Sequence, residues 1–102
     1  KQSKLKKTNY QMHIFRPEGK VDVRLISKTN VLKQLQEAVD GWVQMVGYIN
    51  DIIIERRGRK LPFANDAVAL VNEEGIPRKL KPNPFFPGFV GNVAVISREA
   101  LN

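Results

Sequence analysis

Between residues 77 and 88 the chain carries Pro77, Pro82, Pro84 and Pro87. Each proline removes a backbone donor and fixes φ, so neither a sheet ladder nor a helix runs through this stretch. It has to be an ordered loop in extended form. On its N-terminal side, residues 67–71 read Ala-Val-Ala-Leu-Val, a short apolar run that predicts a strand covered on both faces. On its C-terminal side, residues 89–97 carry Val90, Val93, Val95 and Ile96 and predict a strand that closes the sheet. The acidic turn Asn72-Glu73-Glu74-Gly75 leads out of the first strand and into the loop.

The rest of the chain is read by periodicity. Tyr10, Met12 and Ile14 alternate with Gln11, His13 and Phe15, which is strand spacing. Arg16-Pro17-Glu18-Gly19 suits a type I turn, with proline preset at its second position. Val21, Val23 and Leu25 then alternate with Asp22 and Arg24, so the pair predicts a hairpin. Val31, Leu32, Leu35, Ala38 and Val39 make an apolar stripe at helical spacing, with Thr29 or Asn30 as the cap. Gly41 stands where a left-handed C-terminal cap is expected. Residues 42–49 have strand character, with Trp42 as a core anchor. Ile52, Ile53 and Ile54 also read as strand, and Arg56-Arg57-Gly58-Arg59-Lys60 as a solvated turn.

These elements predict an α+β fold: a mostly antiparallel sheet of about five or six short strands with one amphipathic helix packed on one face. A length of 102 residues suits one domain. Its expected bounds are 9–98, between a flexible basic tail at 1–8 and a short tail at 99–102.

Composition narrows the chemistry. The chain has no cysteine, which removes disulfides, thiolate metal sites and cysteine nucleophiles together. No apolar run approaches the ~20 residues that span a bilayer, and the N-terminus has no signal-peptide h-region, so a soluble, non-secreted protein is expected. The net charge of +7 is uneven. It concentrates in Lys1, Lys4, Lys6 and Lys7 and again in Arg56, Arg57, Arg59 and Lys60. Such clusters attract polyanions without regard to sequence, and equally serve as solubilising surface.

Catalytic groups are scarce. His13 is the only histidine, stands on a predicted strand, and has no serine in a nucleophile-elbow context to work with. No phosphate-cradling or dinucleotide glycine fingerprint occurs. Glu73 and Glu74 are adjacent, and neighbouring side chains on a strand diverge, so a shared metal ion is poorly served. They suit a turn with Gly75 better. The expectation is a protein that is not an enzyme and uses no cofactor and no metal.

Binding features remain. Phe85 and Phe86 sit between Pro84 and Pro87 on a stiff backbone. Adjacent residues of an extended segment point apart, so one ring is expected in the core and the other in a groove or on a partner. An exposed ring beside Arg56, Arg57 and Arg59 would give a stacking-plus-charge surface for a nucleotide or single strand.

The order of these motifs resembles that of a small family of unknown function encoded by bacteriophages and large DNA viruses. The likeness runs from the helix Leu32–Val39 through Gly41 into Trp42-Val43-Gln44-Met45-Val46. It continues in Val68–Val71 with Asn72-Glu73-Glu74-Gly75, then Leu80-Lys81-Pro82-Asn83-Pro84, then Gly91-Asn92-Val93. Lys81 replaces the uncharged residue usual there, and residues 49–65 look like an insertion.

The resemblance implies a viral or phage accessory protein. The expected function is non-enzymatic binding of a host protein or an anionic small molecule in the host-cell cytoplasm, a counter-defence role included. Asn72, Glu73, Glu74, Lys81, Asn83, Phe85 and Phe86 would form the site. Two alternatives stand beside it. One is sequence-blind nucleic-acid binding through Lys1, Lys4, Lys6, Lys7, Arg56, Arg57, Arg59 and Lys60. The other is a minor structural role in a virion. No membrane partner is expected, and a homo-oligomer is left open.

Overall fold

The computed structural model describes residues 9–51 and 66–101. Five strands form one sheet: β1 (Asn9–Phe15), β2 (Val21–Ser27), β3 (Val43–Tyr48), β4 (Ala67–Asn72) and β5 (Val93–Ser97). The helix α1 (Val31–Val39) lies between β2 and β3 in sequence. The strand order is β2-β1-β5-β4-β3, and each neighbouring pair is antiparallel. The α+β architecture expected from the periodicity is therefore observed. Residues 52–54, read as a further strand, and the basic turn at 56–60 lie outside the described residues, as does the tail at 1–8.

The β1–β2 hairpin forms where Pro17 and Gly19 place it. The Gly19 N–H donates to the Arg16 carbonyl at 2.9 Å, and Gly19 takes a positive φ of 92° that suits glycine. Arg16 and Asp22 close the base of the turn with an ion pair. β5 does not close the sheet at an edge. It inserts between β1 and β4, so the last strand in sequence occupies the centre. The nearly all-apolar composition of β4 and β5, polar only at Asn72 and Ser97, fits that place, because both are covered on both faces.

One face of the sheet packs α1. Tyr10, Met12 and Ile14 of β1, Val68 and Leu70 of β4, and Ala94 and Ile96 of β5 meet Leu35, Ala38 and Val39 of the helix. The stripe is narrower than its spacing suggests: Leu32 is exposed, and Val31 packs in its place. Asn30 holds the N-cap position without a side-chain bond; Ser27 instead caps the preceding turn by accepting from the Thr29 N–H at 3.3 Å.

The opposite face packs the proline-rich loop, giving three layers. Phe15, Ala69, Val93, Val95 and Ile49 bury against Phe85 and Phe86. The ring of Phe15 meets Phe85 edge-on at 4.9 Å and Phe86 at 5.1 Å, and Phe86 stacks on Phe89 at 5.8 Å. Such pairs add about 0.5–1.5 kcal/mol each beyond area burial. At the C-terminal end the expected tail at 99–102 begins too early. Arg98–Leu101 forms a 3-10 turn whose Ala100 is buried in the helix-side core, and the Tyr10 hydroxyl bonds the adjacent Glu99.

Candidate functional site

The C-terminal end of α1 organises the motif residues. The last carbonyls of a helix have no partner within it. Here tertiary side chains supply the missing donors. Asn92 Nδ2 donates to the Ala38 carbonyl at 2.8 Å. Asn72 Nδ2 donates to the carbonyls of Val39 and Asp40, each at 3.0 Å. Arg78 Nη1 reaches the Asp40 carbonyl at 2.8 Å, and its Nη2 lies 3.5 Å from the Asp40 carboxylate. Asp40, not Gly41, takes the left-handed conformation (φ 60°). Gly41 is needed for another reason: a Cβ there would sit 2.7 Å from Asn72 Nδ2.

Asn72 also starts the loop. Its Oδ1 accepts from the Glu74 N–H at 2.7 Å, an Asx turn that reverses the chain after β4. The following turn ends as a helix ends. The Leu80 N–H donates to the Gly75 carbonyl and the Lys79 N–H to the Ile76 carbonyl, with Lys79 left-handed at φ 58°. That is the Schellman pattern with a lysine where glycine is usual. Asn83 repeats the wiring of Asn72. Its Nδ2 donates to the carbonyls of Phe15 at 2.8 Å and Gly91 at 2.9 Å, and its Oδ1 accepts from the Phe85 N–H at 2.9 Å.

Four of the residues expected to meet a partner are thus interior. Asn72, Asn83, Phe85 and Phe86 are all buried, and their side chains serve the fold. The expectation that one phenylalanine ring would stay free gives way because the chain between Pro84 and Pro87 turns, and both rings then reach Phe15. Glu73, Glu74 and Lys81 are exposed. The structure separates them: Glu73 lines a cleft beside β3, while Lys81 lines a hollow of about 390 Å³ near Pro17, Asp40 and Asn92. The eight basic residues Lys1, Lys4, Lys6, Lys7, Arg56, Arg57, Arg59 and Lys60 lie outside the described residues. The described residues hold nine Lys and Arg against nine Asp and Glu, so the whole excess of +7 belongs to the segments 1–8 and 52–65.

The cleft beside β3 has a volume of about 430 Å³. One wall is β3 from Gln44 to Val46; the other is Ile76-Pro77 of the turn and Gly88–Val90 of the loop. Val71 and Phe89 add apolar lining between them. β3 is an edge strand, pairing with β4 alone among the described strands. The Glu73 N–H donates to the Trp42 carbonyl at 2.7 Å, so by alternation the backbone groups of Val43 and Met45 point away from β4. A bulge between Met45 and Gly47 interrupts the ladder, which resumes with Gly47 opposite Ala69. Around this edge stand exposed apolar side chains: Ile76 at 75%, Trp42 at 64%, Met45 at 48% and Val46 at 40%.

Sequence reasoning missed this group. Trp42 reads as a core anchor, yet its neighbour Val43 is the residue that packs against the helix-side core, and Trp42 stays exposed. Ile76 stands alone between Gly75 and Pro77 and gives no periodic signal.

For catalysis the described residues offer little. No group of three His, Asp or Glu side chains converges on a metal-sized space among them. His13 lies on β1 opposite Val23 and Val95, and partial burial lowers its pKa from the usual value. Tyr10 donates to Glu99 at 3.2 Å, and burial together with that carboxylate raises its pKa. No helix among the described residues is long and apolar enough to cross a membrane. No family model, curated protein or solved structure matches the chain.

Proposed function

We propose that this chain is a non-enzymatic binding protein that holds an extended apolar segment of a partner protein in the cleft beside β3. The observation that carries the reading is the set of exposed apolar side chains, Trp42, Met45, Val46 and Ile76, gathered at an open strand edge. Addition of a strand supplies backbone hydrogen bonds, and pockets for alternate side chains supply selectivity. Val43 and Met45 offer the backbone groups, and the cleft takes the side chains that point toward Phe89 and Val90. An anionic small molecule is the weaker ligand, because Glu73 lines the cleft and no Lys or Arg does so among the described residues. The resemblance expected from the motif order, to a family encoded by phages and large DNA viruses, would make a host protein the partner and the host-cell cytoplasm the place.

Selection of displayed peptides on the immobilised protein tests this. The expected result is enrichment of extended segments with alternating apolar residues, with binding lost in Ile76→Glu and Met45→Glu. Failure to enrich any such segment, or enrichment that both variants leave intact, overturns the reading.

The partition of charge favours a second reading, sequence-blind nucleic-acid binding. A balanced body with all its excess cations in two segments would bind a polyanion through those segments. Its affinity would fall steeply with salt, which a mobility-shift titration measures. Binding indifferent to salt, or none at low salt, removes it.

A further inference from the structure

Among the described strands, the two edges of the sheet, β2 and β3, are guarded differently. β3 is interrupted by its bulge. β2 is not: it pairs with β1 in unbroken register from Phe15↔Val21 to Asn9↔Ser27, and it contains no proline. Natural edges usually carry a bulge, a proline or inward-pointing charge against pairing with another chain. β2 instead presents Val21, Val23 and Leu25 on one face, exposed at 42%, 55% and 70%. The Arg16 N–H donates to the Lys20 carbonyl at 2.8 Å, which sets the phase of the hairpin ladder. The backbone groups of Asp22 and Arg24 therefore face β1, and those of Val21, Val23 and Leu25 face outward.

We infer that β2 pairs with β2 of a second copy of this chain, antiparallel about a two-fold axis at Val23. The sequence of the strand is complementary to itself in that register. Val23 faces Val23 of the second copy, and Val21 faces Leu25 of the second copy, so the outward-pointing backbone groups meet in about six hydrogen bonds. On the other face Asp22 stands opposite Arg24 of the second copy, twice by symmetry. Shifting the axis by one residue destroys this. An axis at Asp22 sets acid against acid and Lys20 against Arg24; an axis at Arg24 sets guanidinium against guanidinium. Like charges directly opposite are destabilising, so charge selects the Val23 register from its neighbours. The Arg16 partner of Asp22 does not block this, because the Asp22 side chain keeps 47% of its exposure beside Arg16. The contact is isologous and closes on itself, joining two sheets into one continuous sheet. It leaves the β3 cleft free, since β2 and β3 are opposite edges.

Sedimentation of the full chain across a concentration series is the test. A reversible dimer is expected. Arg24→Asp sets acids opposite acids and should weaken the dimer about tenfold or more. The double variant Asp22→Arg/Arg24→Asp restores opposite charges in the same register and should recover most of that loss. A purely structural role for either residue predicts no such recovery. Val23→Pro removes an outward donor and should abolish the dimer, with circular dichroism confirming the fold. A monomer at all concentrations overturns the inference, including one whose Val21, Val23 and Leu25 amides are protected by another segment of the same chain. A dimer unaffected by Arg24→Asp overturns it as well.

Discussion

The side-chain amide of Asn83 donates to the main-chain carbonyl of Phe15 at 2.8 Å, tying the proline-rich loop to the end of the first strand. This bond closes 68 residues of chain. It also explains how a loop with so few backbone donors packs under the sheet. The loop's prolines remove N–H groups, and one buried amide supplies donors and an acceptor in their stead. Asn72 does the same between β4 and the end of α1. Asn72 fastens the chain where it leaves β4, and Asn83 fastens the middle of the loop.

Replacing either asparagine therefore strands buried carbonyls. Asn83→Ala leaves the Phe15 and Gly91 carbonyls without that donor and the Phe85 N–H without its acceptor. A loss of about 2–4 kcal/mol is expected, since each unsatisfied buried group costs about 1–3 kcal/mol and some regain water. Asn83→Asp should be nearly as damaging, because a carboxylate cannot donate to either carbonyl. Urea unfolding of the two variants and of Asn72→Ala measures this; a change within about 0.5 kcal/mol, the usual range for an ordinary surface substitution, contradicts it.

Lys79 gives the opposite sign. Its φ of 58° lies in the left-handed region, where a side chain is strained by about 1–2 kcal/mol. Lys79 is exposed, so its side chain contributes little packing. Lys79→Gly relieves the strain but frees the unfolded chain, for a net gain of about 0.5–1 kcal/mol. A rise in thermal midpoint is the expected result, and a fall rejects the Schellman assignment at Gly75–Leu80.

His13 sets a pH dependence with a definite sign. Burial lowers its folded pKa below the ordinary value of 6.5. Above 6.5 the ring is neutral in both states and its contribution to stability is complete. As pH falls below 6.5 the unfolded chain takes up a proton that the folded chain resists, so stability declines through the folded pKa. His13→Gln should flatten that part of the stability profile while leaving the region above neutrality in shape. If both proteins lose stability in parallel between neutrality and mild acid, the assignment to His13 fails.

Periodicity carried the strands and the helix because each buries a face, and a buried face leaves its period in the sequence. Met12 and Ile14, or Leu35 and Val39, are legible for that reason. The central place of β5 was not legible, since strand order depends on which edges find partners and not on any local pattern. The site was harder still. Asn72 and Asn83 have the polarity of binding residues, and only their burial reveals that they satisfy carbonyls. Phe85 and Phe86 suggested divergent rings, but the turn between the flanking prolines aims both inward. Trp42 failed in the other direction: its size suggests a core, but the adjacent Val43 takes the inward place on β3 and Trp42 faces water.

Trp42 is also the sole tryptophan, so its surroundings can be read directly. With 64% of its surface exposed, its fluorescence should resemble that of a solvated indole and be quenched readily by iodide. Trp42→Ala should then cost well under the ~3–5 kcal/mol typical of removing a buried tryptophan. The same exposure makes it a reporter for the β3 cleft. A peptide that settles beside Met45 and Ile76 should shift the emission to the blue and protect it from iodide. Ile76→Glu should remove both effects without altering the free protein's spectrum, because Ile76 is itself 75% exposed and contributes little to the fold. A blue, unquenched emission from the free protein would place Trp42 in a core after all and remove it from the exposed apolar group at the β3 edge.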